Sequence, residues 1–518
     1  MSYSFSQNTS EQIKSHGLAL AEVERQIKLF EDGIPFVHLS RPATVGDGIR
    51  RLTEEQQKNY VEQFRNTLDH EAVRVMKFVP ASGAASRMFR DLETILNTYD
   101  KIDDAVLAKD DKTCAFAREF VHNIRKFAFW DALKDVLQKD GMDAEKLIAN
   151  QQYRPLIEYT LRPAGLNYAS MPKALILFHR DEDGVPVTSL AEHFGEAVNY
   201  LRDKHGNAAL HFTISPEFTE QIEQRIEENR KLYKGEVSFD VSLSNQLPST
   251  DTIAVDEENK PFLDENGDIL FRPGGHGALL TNLNNLEADI VFIKNIDNVS
   301  SSAENMASVL WKEVLGGLLA QTRKSVFDWK ERLRNTESEK ECDQAIAFCR
   351  DELNLSVPEE LETAGLNEKK KQLLSLLDRP IRVCGMVKNE GEPGGGPFWI
   401  EKEGMVNKLQ IVESDQMDES DEQQMNIVEQ STHFNPVDIV CSLTNEQGES
   451  YDLNEFLDPE TAFIASKSYD GRNLKALERP GLWNGAMAEW ISIFVEVPIS
   501  TFNPVKTVND LLREEHQA

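Results

Sequence analysis

Short apolar runs rich in β-branched residues recur along the chain, and stretches with helical spacing separate them. The runs are Val73 to Pro80, Ala174 to Phe178, Ala208 to Ile214, Glu236 to Leu243 and Ile290 to Ile296. Further along come Ile381 to Val387, Lys408 to Glu413, Asp438 to Leu443, Ala462 to Lys467 and Ile491 to Val497. Strands alternating with helices imply an α/β core on a largely parallel sheet. Residues 1–72 read mostly as helix, with a loop at Gly33 to Pro42 and Thr53 as the N-cap of a second helix. Residues 73–512 read as the core, with helical insertions at about 101–160 and 303–376, and residues 513–518 as a tail.

A chain of 518 residues exceeds one ordinary core and suits two or three lobes. Lys and Arg number 56 against 88 Asp and Glu, a formal charge of −32. That balance argues against a general binder of nucleic acid or membrane surfaces, because both are anionic. It leaves room for a small anion in a local basic pocket. The five cysteines, Cys114, Cys342, Cys349, Cys384 and Cys441, contain no CxxC pair and read as reduced, buried thiols. The first residues are polar, and the longest apolar runs fall short of the roughly 20 residues of a membrane helix. The expectation is a soluble cytoplasmic protein. The acidic stretch Glu413 to Glu429 reads as a solvated, mobile loop. The long charged helices suit packing on the core or on a second subunit.

Six segments can carry chemistry. Phe78 to Met88 reads as a strand ending in small residues, where backbone N–H groups can approach a phosphate ahead of a helix and Arg87 adds a positive fork. Pro172 and Lys173 precede a buried strand, and the lysine either points at a phosphate or lies in a surface turn. In Phe271 to Leu280 three glycines surround His276. Such backbone admits a flat ring, while the imidazole could equally cap a helix or fill the core. The strand from Asp289 delivers Asp297 and Asn298 to its carboxyl end, where a lone carboxylate suits Mg²⁺ or caps a helix. Gly394 to Gly396 form an irregular loop near Glu413 and Asn435 that cradles a ligand or turns a hairpin. The last segment, Thr501 to Leu512, carries Lys506.

Taken in order, these segments resemble the sugar-1-phosphate nucleotidyltransferase superfamily, and most of all its UDP-sugar pyrophosphorylases. The whole chain also resembles a bacterial family known only as a domain of unknown function. The resemblance implies a Rossmann-like, mostly parallel sheet of the nucleotide-diphospho-sugar transferase type. It implies a phosphate loop at Ser82, Gly83, Ala84, Ser86 and Arg87, with Ala85 where the family has a second glycine. Pro172 and Lys173 match the family's phosphate-contacting Pro-Lys pair, here separated from the loop by a helical insertion. Gly275, His276 and Gly277 match the Gly-His-Gly that lies against uracil, and Asn295 to Asn298 match the strand end whose Asp, here Asp297, binds Mg²⁺. Gly385, Glu413 and Asn435 are the nearest matches to sugar-contacting residues, and Phe502 to Lys506 match the late stretch whose Lys faces the phosphates. The implied reaction joins a nucleoside triphosphate, UTP by the Gly-His-Gly match, to a sugar 1-phosphate and releases pyrophosphate. Lys506, Lys173 and Arg87 would supply positive charge. Two rival readings are a nucleotide-sugar-binding protein without turnover and a nucleotide-sugar-dependent glycosyltransferase. The second needs a metal-binding Asp-x-Asp, and its nearest candidate, Asp181-Glu-Asp183, reads as a hairpin turn.

Overall fold

The computed structural model describes residues 5–70, 72–301, 305–391, 394–402 and 405–517. Residues 1–4, 71, 302–304, 392–393, 403–404 and 518 of the segments read above lie outside the described residues. The protein is a mixed α/β structure with a large central, mostly parallel sheet. It forms two compact units, each assembled from separated stretches. The first comprises Met1–Met76, Gln246–Ile293 and Glu313–Ile499, and the second Lys77–Asn245, Lys294–Lys312 and Ser500–Ala518. This grouping cuts across the expected divisions near residues 72 and 512.

In the first unit the sheet strands run in the order Thr44–Val45, Gly48–Arg50, Ile491–Glu496, Ile381–Lys388, Asp438–Ser442 and Ile290–Lys294. The first four are mutually parallel, and Asp438–Ser442 pairs antiparallel with Ile381–Lys388. All five residues of Ile290–Lys294 are buried, the apolar Ile290 to Ile293 as a strand covered on both faces requires and Lys294 in an ion pair with Glu196. The helices Gln7–Ser15 and Leu20–Asp32 bury Ile13, Val23, Ile27 and Phe30 against Ile253, Val255 and Leu477. The segment expected as a loop between the N-terminal helices instead contains His38–Pro42, paired antiparallel with Gly396–Lys402.

The acidic stretch expected to be a mobile loop is also ordered. Asp421 caps the helix Glu422–Glu429. Buried Gln424 accepts from the Leu39 N–H at 2.7 Å and donates to the Leu39 carbonyl at 3.1 Å. Its side-chain amide thus does for the edge strand what another backbone would do.

In the second unit Val75–Pro80, Asn207–Ile214 and Ser238–Asn245 pair in parallel. The insertion at 101–160 is helical as expected, with Asp103, Asp111 and Asp143 as side-chain N-caps. It buries Phe120, Phe127, Phe129, Trp130, Leu133 and Leu137 in one aromatic-rich core that also takes Val505 and Val508. The strand expected at Ala174 to Phe178 starts later, at Leu177–Arg180, after a 3-10 turn at Lys173–Leu175. Asp181 to Gly184 form the hairpin turn expected, with the Asp181 carboxylate accepting the Asp183 and Val185 N–H groups. All five cysteines are free and buried. Among the described residues no helix is long and apolar enough to cross a membrane.

Candidate functional site

Parallel pairing places the carboxyl ends of Val75–Pro80 and Asn207–Ile214 on one edge of the second unit's sheet. The loop from Ala81 to Arg87 starts there and is pinned on both sides. Ala81 N–H donates to the Thr213 carbonyl at 2.9 Å, and Ser215 Oγ donates to the Ser82 carbonyl at 3.2 Å. Ala84 bridges Pro172, Ala85 N–H donates to Met171 O at 3.0 Å, and Lys173 N–H donates to Gly83 O at 3.2 Å. The helical insertion therefore returns the chain to the loop, and Pro172 and Lys173 lie beside it despite their distance in sequence. Ala85, where a methyl could have crowded a phosphate, is fully buried in the aromatic core. Gly83, Ala84, Ser86 and Arg87 are exposed and Ser82 is partly exposed.

Asp297 follows the strand Ile290–Lys294 in the turn beyond its carboxyl end. Its Oδ2 accepts from Lys173 Nζ at 2.7 Å and lies 3.4 Å from Lys506 Nζ. Lys173 also donates to the Val505 carbonyl at 2.8 Å. The side chains of Lys173 and Asp297 are 12% and 10% exposed, whereas that of Lys506 is 54% exposed and free to turn toward a ligand. Burial pushes the Asp297 carboxyl up, but the two ammonium groups outweigh it and hold the carboxyl below its ordinary value. The segment carrying Lys506 is fastened to the same turn. Val505 N–H donates to the Asp297 carbonyl at 3.0 Å, and Asn503 N–H donates to Asn298 Oδ1 at 2.9 Å. The Asp510 carboxylate accepts the Lys506 and Thr507 N–H groups at 2.8 and 2.6 Å.

Two ammonium groups on one carboxylate leave a positive surplus, which attracts phosphate. Asp297 also fits a hard divalent cation. Its Oδ1 takes no hydrogen bond among the described residues. A lone carboxylate is what Mg²⁺ uses when water and substrate phosphates fill the rest of its shell. The surplus opposes a bare cation and admits one that arrives with phosphate.

The first unit gathers the remaining expected residues. His276 opens a 3-10 turn, and its Nδ1 accepts the Leu482 N–H at 3.0 Å. The ring proton therefore sits on Nε2, which lies 3.4 Å from Glu413 Oε1. The same carboxylate oxygen accepts from Trp483 Nε1 at 3.1 Å. The imidazole and the indole stack 4.1 Å apart at 10°. Burial raises the Glu413 carboxyl, but the His276 and Trp483 donors outweigh it and leave it below its ordinary value.

Gly275 has φ +73°, and a Cβ at Gly277 would stand 2.1 Å from the Pro480 carbonyl oxygen. These glycines are required by the protein's own 478–481 segment, a tighter packing than the open backbone the sequence suggested. Asn435 donates to the Gly385 carbonyl at 3.1 Å, and its N–H donates to the Gly395 carbonyl at 2.8 Å. A Cβ on Gly395 would lie 3.3 Å from Glu413 Cγ, so Gly385, Asn435, Gly395 and Glu413 form one continuous patch.

The sequence reading missed Trp483 and the role of Arg382. Arg382 is fully buried and donates to the Trp483 carbonyl at 2.6 Å and to Gln410 Oε1 at 2.8 Å. The available signals were a lone Arg inside an apolar strand and a Trp between Gly481 and Gly485.

Solved structures similar to this chain include UDP-glucose pyrophosphorylase from Leishmania major in complex with UDP-glucose. That match has 13% identity and a TM-score of 0.43, and covers 99% of this chain and 82% of the other. Another is a UDP-glucose phosphorylase from Trypanosoma brucei, with 13% identity, a TM-score of 0.43 and coverage of 98% and 80%. No curated protein matches the sequence. The family described as Domain of unknown function (DUF4301) matches residues 6–517, and the chain belongs to that family.

Proposed function

We propose that the chain is a sugar-1-phosphate nucleotidyltransferase on a Rossmann-like fold. In this reading it joins a nucleoside triphosphate, with UTP the expected one, to a sugar 1-phosphate. The observation that carries it is the convergence of Lys173 and Lys506 on the buried carboxylate of Asp297. A phosphate oxygen of the sugar 1-phosphate attacks the α-phosphorus in line. The bond from the α-phosphorus to the bridging oxygen breaks, and pyrophosphate leaves with its electron pair. No proton has to move from carbon, so the protein's task is to position two anions and neutralise them.

Lys506, half exposed, follows charge onto the leaving group. Lys173 is anchored by the Val505 carbonyl and holds a fixed positive charge beside the turn. Arg87 and the exposed backbone of the loop are placed for further phosphate oxygens. Mg²⁺ held by Asp297 would neutralise phosphate oxygens and orient them. In the first unit, the Glu413 carboxylate suits hydroxyl and imide groups, Asn435 is buried with both ends of its amide engaged and shapes the backbone beside it, and His276 with Trp483 presents a flat apolar face. The hairpin at Asp181 to Asp183 spends its carboxylate on backbone N–H groups, which weighs against a glycosyltransferase.

The test is pyrophosphate release with Mg²⁺, each common nucleoside triphosphate and a panel of sugar 1-phosphates. Release that needs both substrates and is lost in Asp297→Ala is the expected result. Silence across the panel, with a nucleotide sugar still raising Tm, would replace the enzyme with a binding protein.

A further inference from the structure

The helix Ser189–Tyr200 supports every part of the Lys173–Asp297–Lys506 cluster without placing a side chain in it. Ser189 Oγ donates to the Lys173 carbonyl at 2.9 Å. His193 Nε2 donates to the Ile296 carbonyl at 3.2 Å, one residue before Asp297. Burial, then the nearby Lys77, holds that imidazole well below its ordinary pKa, so the ring is a neutral donor. Glu196 accepts from Lys77 at 2.7 Å and from Lys294 at 2.5 Å, tying both core strands to the helix. Glu192 accepts from His179 Nδ1 at 2.7 Å, and His179 Nε2 lies 2.7 Å from Nδ1 of His516.

The His179 ring thus bridges the Glu192 carboxylate and the His516 imidazole, one ring nitrogen to each. His516 Nε2 is buried with no partner among the described residues. Burial pushes the His516 pKa down to about 3, which keeps the ring neutral. Buried polar chains of this kind are no more stabilising than apolar packing of the same volume. What this one adds is a fixed position. His516 lies on the same segment as Val505 and Lys506, and Glu515 on that segment accepts the Ser301 N–H at 3.0 Å.

We propose that Glu192, His179 and His516 form a latch that seats the 503–517 segment and so sets Lys506 and the Val505 carbonyl against Asp297 and Lys173. They are positioning residues, and their effect on turnover rests on the function proposed above, whereas the seating itself does not. His516→Phe keeps the ring volume and removes the hydrogen-bonding nitrogen. His516→Asn restores a hydrogen-bonding group near the position of Nδ1.

Two readouts test the latch. In hydrogen exchange, His516→Phe speeds exchange of the Val505 to Val508 amides at least tenfold, and His516→Asn restores most of the protection. In a double-mutant cycle, His516→Phe lowers kcat roughly tenfold or more in the wild type, since small misplacements of a reacting group are costly. It lowers kcat little further in Lys506→Ala, because the two act through one group. Unchanged exchange, or losses that multiply, would overturn the latch. If His516→Phe does not fold, Glu192→Gln carries the same two readouts. If the wild type forms no pyrophosphate, the function proposal falls and the exchange result still decides the latch.

Discussion

The two units hold their polar groups in opposite states of readiness. In the second, Asp297 faces two ammonium groups, and the more exposed of them, Lys506, is only loosely engaged at 3.4 Å. In the first, His276, Glu413 and Trp483 satisfy one another, with stacked rings and a carboxylate that accepts both ring donors. The second unit's arrangement is completed by charge that a ligand brings. The first unit's is already complete and offers shape and a few fixed hydrogen bonds. Variants in the second unit should therefore slow the chemistry, and variants in the first should change which substrate is accepted.

The largest expected effect is that of Asp297→Ala. Pyrophosphate formation should fall roughly 10³-fold, the scale of losing a main electrostatic group, with the ranking among nucleobases unchanged. A change of ranking would break the division of labour. Next comes Lys506→Ala, expected to lower kcat about 10²-fold with little change in thermal stability, because its side chain is 54% exposed. A loss of stability matching the loss of rate would mean that Lys506 holds the fold instead.

Glu413→Gln should act on selection. Losing its charge weakens two hydrogen bonds, a change of about 1–2 kcal/mol, or roughly tenfold in KM for the substrate whose ring or sugar it reads. An equal fall in kcat with no change in KM would erase the contrast between the units.

The part of the site written in consecutive residues was legible from sequence. Pro172-Lys173, Asn295 to Asn298 and Phe502 to Lys506 each place a charged group in a short stretch next to a strand or turn, and the folded chain brings them together. What holds them was not legible. Glu192, His193 and Glu196 look like ordinary helical polar residues, and only the packing of strands and tail shows them buried. Gly275 and Gly277 read as open backbone for a flat ring, but what they admit is the chain's own Glu478 and Pro480, which sequence alone does not tell. The main strands were recognised by their apolar runs. The short edge strand His38–Pro42 was not, because it draws its hydrogen bonds from Gly396–Lys402 and the side chain of Gln424 instead of a strong local pattern. The same Gln424 explains why an acidic, polar stretch that looked mobile is a docked helix.

The smallest expected effect concerns the two carboxyls themselves. Both are held below their ordinary values of 3.8 and 4.5. The stability each contributes is fully present above its unfolded value and is lost as pH falls through the folded one. Lys506→Ala should raise the Asp297 titration alone, and Trp483→Phe should raise that of Glu413 alone. Carboxyl NMR titration reads both, and a variant that moved both groups would show that the two clusters are not independent.

The most direct test of the central claim is calorimetric binding of inorganic pyrophosphate, with and without Mg²⁺. The wild type should bind pyrophosphate alone, bind Mg²⁺ poorly alone, and bind the two together more tightly than pyrophosphate by itself. Lys506→Ala should weaken binding in both conditions, and Asp297→Ala should remove the gain from Mg²⁺ while pyrophosphate alone binds at least as tightly, because a negative charge is gone. Pyrophosphate binding that neither substitution alters would contradict the assignment of Lys173, Asp297 and Lys506 as the phosphate-handling centre.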